Sequence, residues 1–428
     1  MSSILSRLWF GGLVLSLHSA TLCYAQAPLA RSAGDKYALA DLVGLALQHT
    51  RLLGAQDARI DENRLAASQA RIWPGSSLDL AVGRRSEAAV SGPRYELSWV
   101  QPLPLLGKPG LRGGLLELEA QSWQVRGAAT RLAVTLDVVQ LAYEYAVSRR
   151  KAGFIEKRQK RFELIREYLA GRVFPTPQRR AESRIVSIRA LGLVSEAIGS
   201  QAGFQASIER LRVYVPLGPR GYPEIDVPWF WGEKPIAGQE WLAQALENNP
   251  DLRVQRLAVR GAELEKTLAA RDGLPDPSLA VSYEESGGVE TERNFGLGLS
   301  LALPSWNRNR DGIKSAEAGR LAGERLLGFE EQKLRAELPR LILECEAARR
   351  VVQGYPQDLL SELEVQLQEA EEGFRKGQVD LLTFLELDGA ASEIFDRVLD
   401  AQREYAGRIA GLLAAAGEPD ALARFGSF

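Results

Sequence analysis

The 428-residue chain is poor in the side chains that bind soft metals, with two cysteines, two histidines and one methionine. Three of those five, Met1, His18 and Cys23, fall within residues 1–25, which read as a signal peptide. Arg7 is the lone charge before an apolar run from Leu8 to Leu17, and Cys23-Tyr24-Ala25 puts small residues at the −3 and −1 positions before Gln26. The run is too short to span a bilayer. Bulky Leu22 departs from the small residue a lipobox needs, which argues against a lipid anchor at Cys23. Only Cys345 and His49 remain after residue 25. One cysteine excludes an internal disulfide, and a soft-metal centre needs clustered ligands, so no metal and no cofactor are expected. His49 in LALQHTRLL reads as a surface or packing residue, and Cys345 in LILECEAARR as a small apolar helix residue.

Other absences narrow the function. Basic and acidic residues nearly balance, 53 against 55, and no basic block points to nucleic acid. No apolar run after the signal approaches the ~20 residues of a membrane helix. Any crossing of a membrane must therefore be made by β-strands. No nucleophile–base pair, phosphate loop or metal cluster is present, so no catalysis is expected.

What is present is a repeat at an offset of about 200 residues. Leu45-Ala46-Leu47-Gln48-His49 returns as Gln244-Ala245-Leu246-Glu247-Asn248, and Ala70-Arg71-Ile72-Trp73-Pro74 as Ala270-Arg271-Asp272-Gly273-Leu274-Pro275. Leu103-Pro104 returns as Leu303-Pro304, and Tyr168-Leu169-Ala170-Gly171 as Phe374-Arg375-Lys376-Gly377. Each half reads helix, two strands, long helix, Gly turn, return helix. The chain thus divides into the signal (1–25), a first repeat (26–212), a connector (213–236) and a second repeat (237–428). The connector is rich in Pro and Gly and carries Trp229 and Trp231, so it is expected to be extended and packed outside the helices.

Four segments alternate with period two. Leu78, Leu80 and Val82 form the first; Tyr95, Leu97 and Trp99 the second; Leu279, Val281 and Tyr283 the third; Phe295, Leu297, Leu299 and Leu301 the fourth. Polar or small residues lie between them, as in a strand with one apolar face. Each has the ~9–11 residues that cross a bilayer when tilted. Two soluble hairpins would show the same alternation. The polar connecting loops and the length of the flanking helices favour a membrane. Four strands cannot close a barrel, since the smallest use about eight, and lipid tolerates no open edge. Several chains must then pool their strands, and three chains give twelve. Tyr95, Trp99, Tyr283 and Phe295 suit an aromatic belt.

From Gly110 to Ala170 and from Ile313 to Lys376 the sequence favours helix, each run reaching ~90 Å as one rod. Half-length helices are expected near 38–72, 180–214, 238–272 and 380–416, two of which stack to match one long rod. Pro339, Gly354 and Pro356 disturb the second rod, and a bend is expected near Tyr355-Pro356.

Taken together, the duplicated unit, Leu103-Pro104-Leu105-Leu106-Gly107-Lys108, Leu303-Pro304-Ser305-Trp306-Asn307-Arg308 and the Phe374–Gly377 turn followed by Val379-Asp380-Leu381-Leu382 resemble the TolC-type outer-membrane efflux proteins over nearly the whole mature length. Gly107-Lys108 and Pro356 look most like the heavy-metal (cobalt–zinc–cadmium) subgroup. The resemblance implies a mostly α fold with a membrane β part: a trimeric 12-stranded β-barrel in the outer membrane, continued by an α-helical barrel into the periplasm. It implies a periplasmic adaptor and an inner-membrane pump, of the proton-driven RND type, as partners. Gly171 and Gly377, with Tyr168 and Phe374, would form the tips where the adaptor docks. Relatives place acidic residues just beyond the second tip. Here Thr383 takes the first such position and Glu386 the second, with Asp380 and Asp388 nearby, so Glu386 is the candidate constricting ring. The cargo would be small solutes, metal cations among them. A protein-secretion duct of type I shares this architecture, and a soluble periplasmic coiled-coil scaffold is the alternative from another class.

Overall fold

The computed structural model describes residues 36–87, 90–170, 177–218, 222–230, 238–287, 290–302 and 308–428. The signal segment, Gly171, Trp231 and the stretch 303–307 lie outside the described residues. The first half runs β1 (Lys36–Ala38), α1 (Leu39–His49), α2 (Arg51–Arg71), β2 (Ser77–Glu87), β3 (Val90–Pro102), α3 (Lys108–Ala170) and α4 (Pro177–Arg212). Strand β4 (Glu224–Asp226) lies in the connector. The second half runs α5 (Gly238–Asn248), α6 (Pro250–Asp272), β5 (Pro277–Ser286), β6 (Glu292–Leu301), α7 (Arg310–Gln353), α8 (Leu359–Lys376), α9 (Leu381–Ala416) and α10 (Ala421–Phe425).

The halves mirror each other in element length. Helices α1 and α5 have 11 residues each, and α4 and α9 have 36 each. Two differences from the sequence reading have local causes. Each expected first helix is two helices, divided at Thr50 and at Asn249. The Thr50 hydroxyl accepts the Leu52 N–H, and Asn249 Oδ1 accepts from Asp251 (3.0 Å) and Leu252 (3.1 Å), with Pro250 at the first helical position. Both are N-caps, which restart a helix in a new direction. The second long rod is interrupted between Gln353 and Leu359, as Tyr355-Pro356 foreshadowed, whereas Pro339 is carried inside α7. The first rod, α3, is unbroken over 63 residues, about 95 Å at the α-helical rise.

Packing orders the helices into two tiers along α3. Near the sheet the order is α2–α3–α6–α7; farther away it is α4–α3–α9–α7, with α8 beside α9. The half-length helices α2 and α4 thus share one flank of α3, and α6 and α9 the other. Helix α9 is antiparallel to α3, with Phe162 against Phe384 and Phe154 stacked on Phe395 at 3.9 Å.

The connector departs from an outside strap. Ile225, Val227 and Phe230 are buried in the main core beside Tyr143, Tyr145 and Tyr405. Gln402, 1% exposed, brackets Phe230, accepting its N–H at 2.9 Å and donating to its carbonyl at 2.6 Å. The Tyr145 hydroxyl donates to the Pro223 carbonyl (2.7 Å), and the Arg150 guanidinium lies 4.0 Å over the Trp229 ring. Strand β4 pairs in parallel with β1, Tyr37 opposite Ile225. A proline-rich segment with few N–H donors can enter a core when side chains take up its carbonyls. At the far end, Gly417 closes α9 with φ +63°, and a Cβ there would lie 2.4 Å from the Asn248 carbonyl. Only glycine fits that backbone and that gap.

A candidate conduit and its helix tip

Strands β2-β3-β5-β6 form one antiparallel sheet in that order. Leu78, Trp99, Val281 and Leu297 make one cross-strand row, and Leu80, Leu97, Tyr283 and Phe295 the next. Val82 pairs with Tyr95, Leu279 with Leu299, and Pro277 with Leu301. The register therefore gathers all thirteen apolar strand residues named above on one face. The opposite rows are small or polar: Asp79, Ser98, Ser282, Gly296, and Ala81, Glu96, Glu284, Asn294. On that face Arg94 bridges Glu284 (2.7 Å) and Glu96 (3.3 Å). Among the described residues nothing covers the apolar face, Phe295 being 83% and Leu297 79% exposed. The aromatic residues do not share one row: Tyr95, Tyr283 and Phe295 lie in two neighbouring rows, and Trp99 in a third. Strands β2 and β6 have no second sheet neighbour among the described residues.

These open edges continue into the helices. Strand β2 follows α2, with α4 below it on the same flank, and β6 leads into α7 and α8. Exposed apolar side chains mark both: Ile185, Ile188, Leu191 and Ile198 on α4, and Leu326, Phe329, Leu343, Val351 and Val365 on α7 and α8. Exposed patches of this kind mark association surfaces.

The second tip is built from the sequence outward. Gly377 ends α8 with φ +75°. The Gln378 N–H donates to the Gly373 carbonyl (2.8 Å) and the Gly377 N–H to that of Phe374 (3.0 Å), a left-handed helix stop that favours glycine. Asp380 caps α9 by accepting the Thr383 N–H at 2.7 Å, and this backbone donor holds its carboxyl below the usual carboxylate range. Tyr168 of α3 meets Phe374 edge-on at 6.1 Å, and its hydroxyl donates to the Arg375 carbonyl at 2.8 Å. The structure thus brings Tyr168, Phe374, Gly377 and Asp380 together, joining the first rod to the second tip. Asp380→Ala should lower Tm at neutral pH. The difference from wild type should narrow as pH falls through the folded-state pKa of Asp380, because protonation removes the same acceptor from the wild-type cap; thermal melts at two pH values measure it.

Beyond the tip, Leu382, Thr383 and Glu386 are exposed on α9, but Asp388 is fully buried and cannot join an exposed acidic ring. Its carboxylate accepts from Arg158 Nε at 2.9 Å to each oxygen and from Arg158 Nη2 at 2.6 Å. Arg158 also donates to Ser392 Oγ (3.1 Å) and faces Glu196 of α4 at 3.6 Å. Higher on the same seam Lys151 lies 3.2 Å from Asp396 and 3.1 Å from Asp400. Sequence reading missed this seam; its signal was a pair of arginines, Arg158 and Arg161, inside the apolar stripe Phe154, Phe162, Ile165. Cys345 is buried, and burial pushes its thiol up to about 12.

Comparison with known proteins places this geometry. Residues 241–418 match the family model described as outer membrane efflux protein. The fold is similar to that of the channel-forming protein CusC (TM-score 0.70, 14% identity, covering 91% of this chain and 95% of that one). It is similar to the outer membrane protein VceC of Vibrio cholerae (0.66, 16%, 89% and 96%). It also resembles the MtrE outer membrane channel of Neisseria gonorrhoeae in its open state (0.69, 17%, 89% and 88%). No curated protein matches the sequence. Proteins of this family are trimeric outer-membrane exit ducts of Gram-negative bacteria that extend into the periplasm, work with a periplasmic adaptor and an inner-membrane pump, and are not enzymes. The matched segment covers most of the second repeat, and the first repeat is built from the same elements in the same order, so the chain is similar to the outer membrane efflux proteins in sequence over residues 241–418 and in fold over nearly its whole length.

Proposed function

We propose that this chain is one protomer of a TolC-type outer-membrane exit duct, a passive conduit for small solutes, metal cations among them, that is gated at its helix tips. The observation that carries the reading is the two-faced sheet with two open edges. Its apolar face meets lipid, its small and polar face lines the bore, and the edges β2 and β6 pair between chains. An unpaired strand edge is not tolerated in lipid, so closure must come from other copies, and three copies supply twelve strands. The helical edges close in the same sense: α2 and α4 of one copy lie against α7 and α8 of the next, covering the exposed apolar residues on both. Small residues such as Ser98, Ser282, Gly296 and Gly298 keep the bore wide.

The tip around Gly377, Tyr168 and Phe374 is the adaptor-docking end, together with Gly171, the counterpart of Gly377 in the sequence repeat. Thr383 and Glu386 on the exposed face of α9 line the constriction, with Asp380 fixing the start of that helix. Three-fold repetition makes Glu386 a ring that concentrates cations in a narrow passage. Assignment of the pump to the proton-driven RND type rests on the resemblance to the cobalt–zinc–cadmium subgroup. Detergent-extracted protein added to a planar lipid bilayer should insert as trimers with stepwise conductance; a protein that stays soluble without detergent and never conducts would sink the reading. Glu386→Ala should lower the cation-over-anion preference of the inserted channel, and unchanged selectivity removes Glu386 from the constriction.

A further inference from the structure

Arg161 is the oddity of the helical body. It is 9% exposed, and its Nε and Nη2 are buried with no hydrogen-bond partner among the described residues. A buried cation without a partner is costly enough that proteins seldom keep one. Its surroundings are apolar on one side, with the Phe154 ring 6.0 Å from its guanidinium carbon. Burial works against its charge, and carboxylates that it does not bond, Asp388 of α9 and Glu371 and Glu364 of α8, act to keep that charge on. Asp388 is fully engaged one turn away by Arg158. On one helix face residues three apart are neighbours, about 4.5 Å along the axis.

We infer that Arg158 and Arg161 are alternative partners of Asp388, two rungs of a latch along the α3–α9 seam. In the arrangement described here Asp388 rests on Arg158; in the other it rests on Arg161, one turn nearer the tip. The exchange leaves no group stranded. When Asp388 moves tipward, Arg158 keeps Ser392 Oγ, already at 3.1 Å, and the Glu196 carboxylate at 3.6 Å. Lys151, higher on the seam, bridges Asp396 and Asp400, one turn apart on α9, and tolerates a slip without losing both. The flexible arginine stems take up much of the step, so the upper part of α9, held by Gln402 to Phe230, stays in place. Among the described residues, freedom for the lower part comes from the break between α7 and α8, which separates the α8–α9 hairpin from the rod above it, whereas α3 is unbroken.

This rests on the gated-duct reading, and planar-bilayer recordings of the full trimer separate the two. The wild type should switch between at least two conductance levels. Arg161→Met removes the second rung and should lower the occupancy of the level that depends on it by about tenfold or more, with Tm unchanged or raised. Arg158→Met should shift occupancy in the opposite direction, and Arg158→Lys, which keeps a charge for Asp388 and guards against misfolding, should do so to a smaller extent. Shifts of the same sign in Arg158 and Arg161 variants, or no shift in Arg161→Met, overturn the latch while leaving the gated duct intact. A wild-type trimer with one fixed conductance overturns gating itself, and the latch with it.

Discussion

Leu297→Arg is expected to abolish trimer insertion into the outer membrane, while Gly298→Arg, one residue on, leaves insertion intact and lowers conductance. Leu297 sits in the row Leu78–Trp99–Val281–Leu297, midway along the apolar face, and is almost wholly exposed in the single chain. An arginine on the lipid face near the bilayer midplane costs about 2–4 kcal/mol per chain. Three copies multiply that cost in one assembly. Gly298 lies on the other face, where an added Cβ meets Ala280 at an ordinary 3.7 Å. Arginines there project into the bore, where water solvates them, so they narrow it and favour anions. Heat-resistant trimer migration from outer-membrane fractions tests the first variant, and bilayer conductance the second. Equal tolerance of arginine at both positions would show that the sheet has no lipid face.

The second large effect is Asp388→Ala. The substitution leaves Arg158 and Arg161 buried together with no shared carboxylate, and breaking a buried pair in this way costs about 3–5 kcal/mol. Arg158→Met should cost less than Asp388→Ala, because the charge of Arg161 still acts on the abandoned carboxylate. Double replacement by apolar residues, Arg158→Met with Asp388→Leu, should recover part of the loss, since well-packed apolar side chains often match a buried ion pair. Unfolding midpoints of the detergent-solubilised trimer give the ranking. If Asp388→Ala melts like the wild type, the pair carries no stability in the assembled protein.

Much of the fold was legible because period is a local property. The alternation from Phe295 to Leu301 and the helix-forming run from Gly110 to Ala170 need only neighbours in sequence to show themselves. The helix restarts at Thr50 and Asn249 were also written locally, Asn249-Pro250-Asp251 being a start signal, but the continuous helical composition on either side concealed them. The connector was harder. Its prolines argue correctly against a helix, yet nothing local says that Phe230 would be clasped by Gln402, 172 residues away.

At the candidate site the division is the same. Gly377 could be placed from sequence because a helix stop is made by residues within three or four positions of each other; the cap made by Asp380 is just as local, though the sequence suggested that residue only for the constriction. Asp388 could not, because on a helix its neighbours in sequence look the same whether the face is wet or packed.

By itself, then, the sequence determined the kinds of elements, their order and duplication, the two-faced strands and the scarcity of metal-binding side chains, all of them consequences of composition and of periods a few residues long. The tertiary structure alone decided which apolar rows share a sheet face, which edges stay open, and which charges are buried. Those depend on contacts such as Arg158 with Asp388, 230 residues apart, and such contacts exist only once the antiparallel packing of α3 and α9 sets them level with each other.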